Sequence, residues 1–357
     1  MGWSTTSDLD QFVAAAGSYL TARTAEHSQL ITAAQAARRG SPELLYGWWT
    51  PPDGGGPRGA FVHDPAVPLL IAGRVPEMAA GLAVTLAKPG RAVRKVCGVD
   101  APTDAADAFA AAWSQRAGAT VRAHRTNRVY RLTAQPTQNT AGWPPPELPG
   151  PPGKFRVAMP DEQQVLADWL RTAAIESGER IPSPDDLAAD LISYGGAVFW
   201  DVTQKTGRLL DAARSLALPH HRDIAQFGEP APQTVALVTL TRPVAGSVRI
   251  AMAYTAPDRR RSGHGAALTQ AVSRALLWGN GDFPGMLAYG CVDEIVMLTD
   301  KNRPDRWGGR FGYQFVGERS VLRFGPPTGS IPRVNPAGAG RPRLPTGPLP
   351  RLPRLRG

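Results

Sequence analysis

The residues best suited to chemistry form a short basic turn between a predicted strand and a predicted helix. Val248–Tyr254 is apolar and predicts a strand, Arg259–Arg261 follow it, and Gly263 and Gly265 precede an amphipathic helix, Ala266–Trp278. Glycines let main-chain N–H groups come close to an anion, and a helix N-terminus adds free donors and the positive end of its dipole. Arginine side chains add charge that suits phosphate oxygens. The spacing therefore predicts a cradle for a diphosphate.

The turn differs from two common nucleotide-binding loops. No Gly-Lys-Ser/Thr follows, as a P-loop requires, and the Gly-x-Gly-x-x-Gly of dinucleotide-binding folds is absent. The turn does contain Arg-x-x-Gly-x-Gly, at Arg260, Gly263 and Gly265. By itself this short pattern also fits a basic turn at the start of an ordinary helix.

The pattern and its context resemble the acyl-CoA signature of the Gcn5-related N-acetyltransferase (GNAT) family. Ile295–Thr299 predicts a strand, Asn302 follows it, and Phe311–Gly317 contains a Gly-Tyr pair. These segments resemble the family's late strand, its Asn-containing turn and the entry to its closing strands. The resemblance covers about residues 154–325, and residues 3–135 resemble a degenerate copy.

The resemblance implies an acyl-CoA, either acetyl-CoA or another short acyl-CoA, as cosubstrate. Backbone groups of Ala253, Tyr254 and Thr255 would pair with the pantetheine arm, and Asn302 would contact the cofactor near its acyl end. The diphosphate would be held by Arg260, Arg261, Ser262, Gly263, His264, Gly265 and Ala266. The corresponding N-terminal region, Ile71–Pro76, has no second glycine and no arginine cluster, so we expect no productive CoA binding there.

The groups that transfer protons are less well defined. Many family members place a general-acid tyrosine four residues before the Gly of the Gly-Tyr pair, and Gly308 stands there in this chain. Tyr254, Tyr289 and Tyr313 are the nearby candidates for a replacement. Glu176, like Glu179, lies where the family's substrate loop begins, and a carboxylate can accept the proton of the amine. We name Tyr254 and Glu176 as the candidate catalytic residues.

A Pro/Gly-rich segment divides the 357-residue chain. Residues 136–153 contain seven prolines and predict a stiff linker, and the length suits two domains. We expect an α/β (α+β) fold with a degenerate GNAT-like domain at 3–135 and a GNAT acetyltransferase domain at 154–325. Each should be a mixed, mostly antiparallel sheet flanked by helices, and the similar order of elements suggests an internal duplication.

Hydrophobic periodicity predicts the individual elements. A helix over Asp161–Ser177 should be capped by Asp161, and Arg128–Leu132 should be a closing strand. Lys205–Thr234 replaces an expected tight hairpin and should shape the acceptor pocket or an oligomer contact. Gly279–Tyr289 is glycine-rich and is a candidate lid.

The distribution of charge decides which partner the basic composition indicates. The chain has 40 Lys plus Arg and 30 Asp plus Glu, a net charge of +10. Residues 326–357 are rich in proline and contain six arginines and no acidic residue, which predicts a disordered tail and leaves +4 for the rest. We expect the diphosphate of a CoA as partner rather than a nucleic acid, although RNA or DNA binding by the tail stays an alternative.

Several further classes are excluded or disfavoured. Cys97 and Cys291 are far apart, and no Cys/His cluster indicates a metal site. The N-terminus has no signal peptide pattern and no run of 18 apolar residues occurs, so we expect a cytoplasmic protein without membrane contact.

We therefore expect an acyl-CoA-dependent N-acyltransferase that passes acetyl from acetyl-CoA to a primary amine of a small molecule by direct attack. The alternative is a non-catalytic acyl-CoA-binding or regulatory module. A homodimer is a further expectation.

Overall fold

The computed structural model describes residues 2–36, 44–87, 95–135, 150–179, 181–203, 232–279, 289, 292–303 and 311–327. These ranges contain the helices α1 (Leu9–Thr21), α2 (Thr24–Ala36), α3 (Pro76–Leu86), α4 (Thr103–Ala117), α5 (Gln163–Ser177), α6 (Pro184–Ser193) and α7 (His264–Trp278). The strands are β1 (Trp3–Thr6), β2 (Leu45–Trp49), β3 (Gly59–His63), β4 (Leu69–Ala72), β5 (Gly98–Pro102), β6 (Ala119–Thr133), β7 (Lys154–Val157), β8 (Ala197–Val202), β9 (Gln233–Leu240), β10 (Ser247–Thr255), β11 (Glu294–Asp300) and β12 (Gln314–Pro327).

All of these strands belong to one sheet, in the order β1-β2-β3-β4-β5-β12-β6-β11-β10-β9-β8-β7. Only β4 with β5 and β10 with β11 are parallel, and every other neighbouring pair described is antiparallel. The predicted mixed, mostly antiparallel α/β fold is therefore confirmed. The order is the same from either edge: five strands of one half, then the last strand of the other half. This symmetry supports the expected duplication.

The two halves exchange their last strands. β12 of the C-terminal half pairs with β5, and β6 of the N-terminal half pairs with β11. The hydrophobic cores follow this exchange, since Tyr130 and Leu132 belong to the core of the C-terminal half and Leu322 belongs to that of the N-terminal half. Each half therefore completes the sheet of the other. The domain boundaries at 3–135 and 154–325 stay a prediction.

Helix α2 connects the halves on one face of the sheet. Ala25 packs against Val129 of β6 and Val296 of β11. The hydroxyl of Thr24 donates a hydrogen bond to Oε1 of Glu294, 2.8 Å away. An N-terminal helix thus covers strands next to the parallel pair of the C-terminal half.

Some elements differ from the prediction. Strands β1, β5 and β7 were not predicted, because each has only four or five residues and lacks the apolar runs of the equally short β2, β3 and β4. β6 extends from Ala119 rather than Arg128, although its first part is exposed and polar. Asp161 is not the cap of α5: it lies in a short 3₁₀ turn, Pro160–Glu162, and the helix begins at Gln163. Pro160 at the first position of this turn favours it, since its fixed φ suits a helical start and its missing N–H is not needed there.

No helix within the described ranges combines the length and the apolar character needed to cross a membrane.

Candidate functional site

The two parallel strands of the C-terminal half, β10 and β11, separate after a few residues. β10 pairs with β11 only from Ser247 to Ile250, whereas its pairing with β9 continues to Thr255. A bulge at Ala251 shifts the register at the point where the strands separate. Among the described residues, the edge of β10 from 251 to 255 has no strand partner on the β11 side, and Ala251 and Ala253 are exposed. This free edge can pair with an extended ligand that carries amide groups.

The loop that follows the free edge is shaped by backbone geometry. A 3₁₀ turn, Pro257–Arg259, leads to Arg261 with φ of 66° and Gly263 with φ of 84°. A non-glycine residue in this left-handed region is strained, and such strain is often found where a loop binds a ligand. Gly265 is required for a different reason: a Cβ there would lie 2.7 Å from Oγ1 of Thr255. The helix start therefore lies directly against the end of β10.

Several donors at the start of α7 have no partner among the described residues. Gly263 is the N-cap and supplies no side-chain cap, so the first N–H groups of this fifteen-residue helix stay available. His264 is buried, and its Nδ1 has no hydrogen-bond partner among the described residues, whereas the Nε of Arg259 lies 3.3 Å from Oδ2 of Asp258. Burial, and then the charge of Arg259, lower the pKa of His264, so its ring is neutral at pH 7. A glycine cradle with unpartnered donors fits the diphosphate of an acyl-CoA.

The predicted residues Arg260, Glu176 and Tyr254 meet beside the free edge. Nη2 of Arg260 lies 2.5 Å from Oε2 of Glu176, and its Nε donates to the carbonyl of Thr255 at 3.1 Å. The hydroxyl of Tyr254 lies 3.3 Å from Oε1 of Glu176. Tyr254 also packs edge-on against Trp169 of α5, which fixes its ring. The structure thus joins one residue predicted to bind CoA with the two predicted to be catalytic.

The three candidate tyrosines have different surroundings. Burial raises the pKa of Tyr254, and the nearby carboxylate of Glu176 raises it further. Burial also raises the pKa of Tyr289 and of Tyr313. Tyr313 lies in the core, 2.8 Å from Oγ of Ser273. Of the three, Tyr254 is the one whose ring lies on the strand with the free edge.

Other predicted features are placed only in part. Asn302 is exposed in a turn after β11, where its N–H donates to Oδ1 of Asp300 at 2.8 Å. No hydrogen bond between described residues joins it to the glycine loop. Gly308, most of the insertion at 205–234, most of the candidate lid at 279–289 and the tail beyond 327 lie outside the described residues.

The corresponding strands of the N-terminal half are closed by an ion pair that was not predicted. β4 pairs with β5 only at Leu69 and Leu70. Arg319 of β12 donates from Nε to Oδ1 of Asp100 at 2.9 Å, and from Nη2 to the carbonyl of Ile71 at 3.3 Å. Both side chains of the pair are at most 8% exposed. Because these residues are more than 200 positions apart in sequence, only the strand exchange brings them together.

The ranges described contain no group of three or more His, Cys, Asp or Glu side chains that could hold a metal ion.

Comparisons with known proteins identify relatives in fold. The chain is similar to an X-ray structure of a Drosophila protein, with 11% identity and a TM-score of 0.53 over 91% of this chain and 99% of that one. It is also similar to a GCN5-related N-acetyltransferase from Sphaerobacter thermophilus, with 15% identity and a TM-score of 0.47 over 90% and 95%. A tandem GNAT protein from the clavulanic acid biosynthesis pathway matches with 12% identity and a TM-score of 0.45 over 92% and 100%.

No protein-family model matches the chain, and neither does any curated protein. Identities this low show a shared fold and not a shared activity. The match to the Drosophila protein thus shows a shared fold over 91% of this chain, and the resemblance to the GNAT family rests on the glycine loop and the strands around it.

Proposed function

We propose that the protein is an acyl-CoA-dependent N-acyltransferase that acts on a primary amine of a small molecule. One observation carries the proposal: the free edge of β10 ends in a glycine cradle at a helix N-terminus. The edge suits the amides of a pantetheine arm, and the cradle suits the diphosphate to which that arm is joined. Acetyl-CoA is the simplest such ligand.

The acyl-CoA supplies an acyl group already activated as a thioester. The amine forms the new N–C bond, the C–S bond breaks, and the proton that leaves the amine ends on the CoA thiol. The chain contributes by holding both reactants in position, because orientation alone accounts for much of the acceleration of such a transfer. Backbone N–H groups of the β10 edge can also polarise the thioester carbonyl.

Glu176 and Tyr254 are the proposed groups for proton transfer. Their mutual contact lies beside the free edge, within the reach of a ligand bound along it. Glu176 would take the proton of the amine, and Tyr254 would donate to the leaving sulfur. Before a ligand binds, Arg260 holds Glu176, so the diphosphate has to compete with this carboxylate for the guanidinium.

A small acceptor is proposed because an element of the N-terminal half encloses this region. α2 packs over β6 and β11, next to the strand that would bind the pantetheine arm. A helix over these strands leaves more room for a small amine than for a folded protein.

A second candidate is a non-catalytic module that binds or senses acyl-CoA. The pairing of Glu176 with Arg260 favours it, since an engaged carboxylate is a poor base. Both candidates predict binding of acetyl-CoA, but only the enzyme releases CoA thiol when an amine is added.

The test therefore has two stages. Titration calorimetry with acetyl-CoA should show binding to the full chain, and binding should be lost in the double variant Arg260→Ala, Gly263→Val. Thiol release is then followed across polyamines, amino sugars, amino acids and peptides. Unchanged affinity in the double variant would refute the site. Binding without thiol release from any amine would favour the sensing module.

A further inference from the structure

Arg249 on β10 is a partly buried cation that the proposed reaction does not yet use. It lies two positions before the bulge at Ala251, where the free edge begins. Its Nε is fully buried and has no hydrogen-bond partner in the part of the chain that the structure describes. Its backbone pairs with Thr241: the N–H of Arg249 donates to Oγ1 at 3.0 Å, and the carbonyl accepts from the N–H of Thr241 at 2.9 Å.

The acidic side chains around Arg249 are engaged elsewhere. Asp100 and Glu179 are the carboxylates whose charge acts most on its guanidinium. Asp100 is paired with Arg319, and Glu179 is paired with Arg125. A third carboxylate on this face, Glu294, accepts hydrogen bonds from the hydroxyls of Thr24 and Ser247.

A guanidinium in this position is costly for the folded state. Burial lowers the pKa of Arg249 to about 10, so the side chain is still charged at pH 7. A buried guanidinium nitrogen without a partner destabilises the folded state, and an anionic ligand would compensate for it. The unpartnered Nε therefore indicates that an anion belongs beside it.

The surroundings of Arg249 are polar and narrow. It lines a cavity between α2 and the β9–β10 turn, together with the hydroxyl side chains of Ser28, Thr32 and Thr241. The cavity has a volume of about 10 Å³, which is room for roughly one water molecule. A cavity of this size admits one oxygen of a ligand, and guanidinium with hydroxyls suits the oxygens of a carboxylate.

We propose that Arg249 binds a carboxylate carried by one of the two reacting molecules, and this inference rests on the proposed acyl transfer along β10. Two residues of a strand span about 7 Å, so the guanidinium lies within reach of a molecule bound at the start of the free edge. The carboxylate belongs either to the acceptor, as in an amino acid, or to the far end of the acyl group, as in a dicarboxylic acyl-CoA.

The first arm of the test varies the acceptor with acetyl-CoA as donor. Glycine is compared with methylamine, β-alanine with ethylamine, and lysine with cadaverine, by kcat/KM for thiol release. The second arm compares succinyl-CoA with acetyl-CoA on the same amines. In the arm whose reactant carries the recognised carboxylate, kcat/KM of the wild type should be about 10- to 100-fold higher with the carboxylate than without it. A ratio of this size corresponds to the free energy of a hydrogen bond to a charged group.

Arg249→Met should remove this preference, and Arg249→Lys should retain part of it because the charge remains. Arg171→Met is the control, since Arg171 is an exposed arginine on α5 that is paired with Asp168 and Asp185. It should keep the wild-type preference. A preference that survives in Arg249→Met, or that is absent from both arms of the wild type, would overturn the proposal.

A binding measurement separates this inference from the proposed function. Glycine and succinate should each be compared with methylamine at equal ionic strength for their effect on the melting temperature of the full chain. Stabilisation by a carboxylate that is present in the wild type and lost in Arg249→Met supports the anion site even when no thiol is released. Acyl transfer without any such stabilisation or preference refutes the anion site and leaves the proposed function standing.

Discussion

The two halves of the molecule share a separating pair of parallel strands but differ in what lies in the gap between them. In each half a parallel pair of strands separates after a few residues, β4 from β5 and β10 from β11. In the C-terminal half the exposed edge leads into a glycine loop. In the N-terminal half Arg319 and Asp100 fill the gap, and Arg319 donates a hydrogen bond to the carbonyl of Ile71. Among the described residues, nothing fills the gap beside β10, whereas the gap beside β4 is closed by Arg319 and Asp100.

The helices that follow these strands differ in the same sense. α3 has Pro76 at its first position and Glu77 in its first turn. Proline removes an N–H donor, and the glutamate places a negative charge where a phosphate would bind. The first turn of α7 has two glycines nearby and no acidic residue. The two helix starts therefore differ in the features that favour an anion: α7 has them and α3 does not.

The largest expected effect comes from opening the closed gap. Arg319→Met leaves the buried carboxylate of Asp100 without its partner, which should lower the free energy of unfolding by about 3–5 kcal/mol in urea titrations. The double variant Arg319→Met, Asp100→Leu should recover most of this loss, because no charge stays buried. A loss below about 1 kcal/mol in the single variant would show that the pair does not close the gap.

A second effect concerns acid stability and also belongs to the N-terminal half. Burial lowers the pKa of His27 from 6.5 to about 4, although its Nδ1 lies 3.1 Å from the carbonyl of Leu20. Between these values the unfolded chain binds the proton and the folded chain does not, so stability falls as the pH drops from 6.5 towards 4. The full loss is about 3 kcal/mol.

Urea titrations from pH 7 to pH 4 measure this dependence. His27→Gln should flatten the curve, whereas His124→Gln, a change at an exposed position on β6, should leave most of the slope. If the slope is the same in wild type and His27→Gln, the protonation of His27 does not limit acid stability.

A third effect tests the cradle itself. Gly263→Val forces a β-branched residue to φ of 84°, which should weaken acetyl-CoA binding roughly 10- to 100-fold in calorimetry. Gly81→Ala is the matched control in the N-terminal half: Gly81 lies in α3, and a Cβ there meets nothing within 4 Å. It should leave affinity unchanged. Equal affinities for the two variants would remove the distinction between the halves.

The smallest expected effect comes from the contact of Glu176 with Arg260. Glu176→Gln removes a competitor of the diphosphate, and since the pair is partly exposed, acetyl-CoA should bind about 2- to 5-fold more tightly. Glu179→Gln, a change at a carboxylate paired with Arg125, should have no such effect. If Glu176 is also the base, kcat falls while binding tightens. Weaker binding in Glu176→Gln would contradict the competition.

Local patterns predicted much of the C-terminal half. The apolar run of β10, the two glycines and the periodicity of α7 are all short-range signals, and the structure places them as a strand, a loop and a helix. Glu176 was named from its place in the chain, and it does meet Tyr254. Its catalytic role stays a prediction, as does that of every CoA-binding residue.

Long-range pairing accounts for what the sequence did not predict. The exchange of β6 and β12 has no local signature, because either strand would satisfy its hydrogen bonds equally well next to its own half. The partnership of Arg319 with Asp100 depends on that exchange. Arg249 has the pattern of a polar residue in an alternating strand, and what distinguishes it is a buried Nε without a described partner.

The strand exchange also constrains how the chain can reach its native state. β12 follows the other described strands in the chain, yet it belongs in the middle of the sheet, between β5 and β6. The N-terminal half therefore cannot complete its sheet until β12 has been synthesised. Contacts of such large separation in sequence slow folding, and they leave the edges of β5 and β6 exposed during translation. The topology thus couples the folding of the N-terminal half to the synthesis of the C-terminal half.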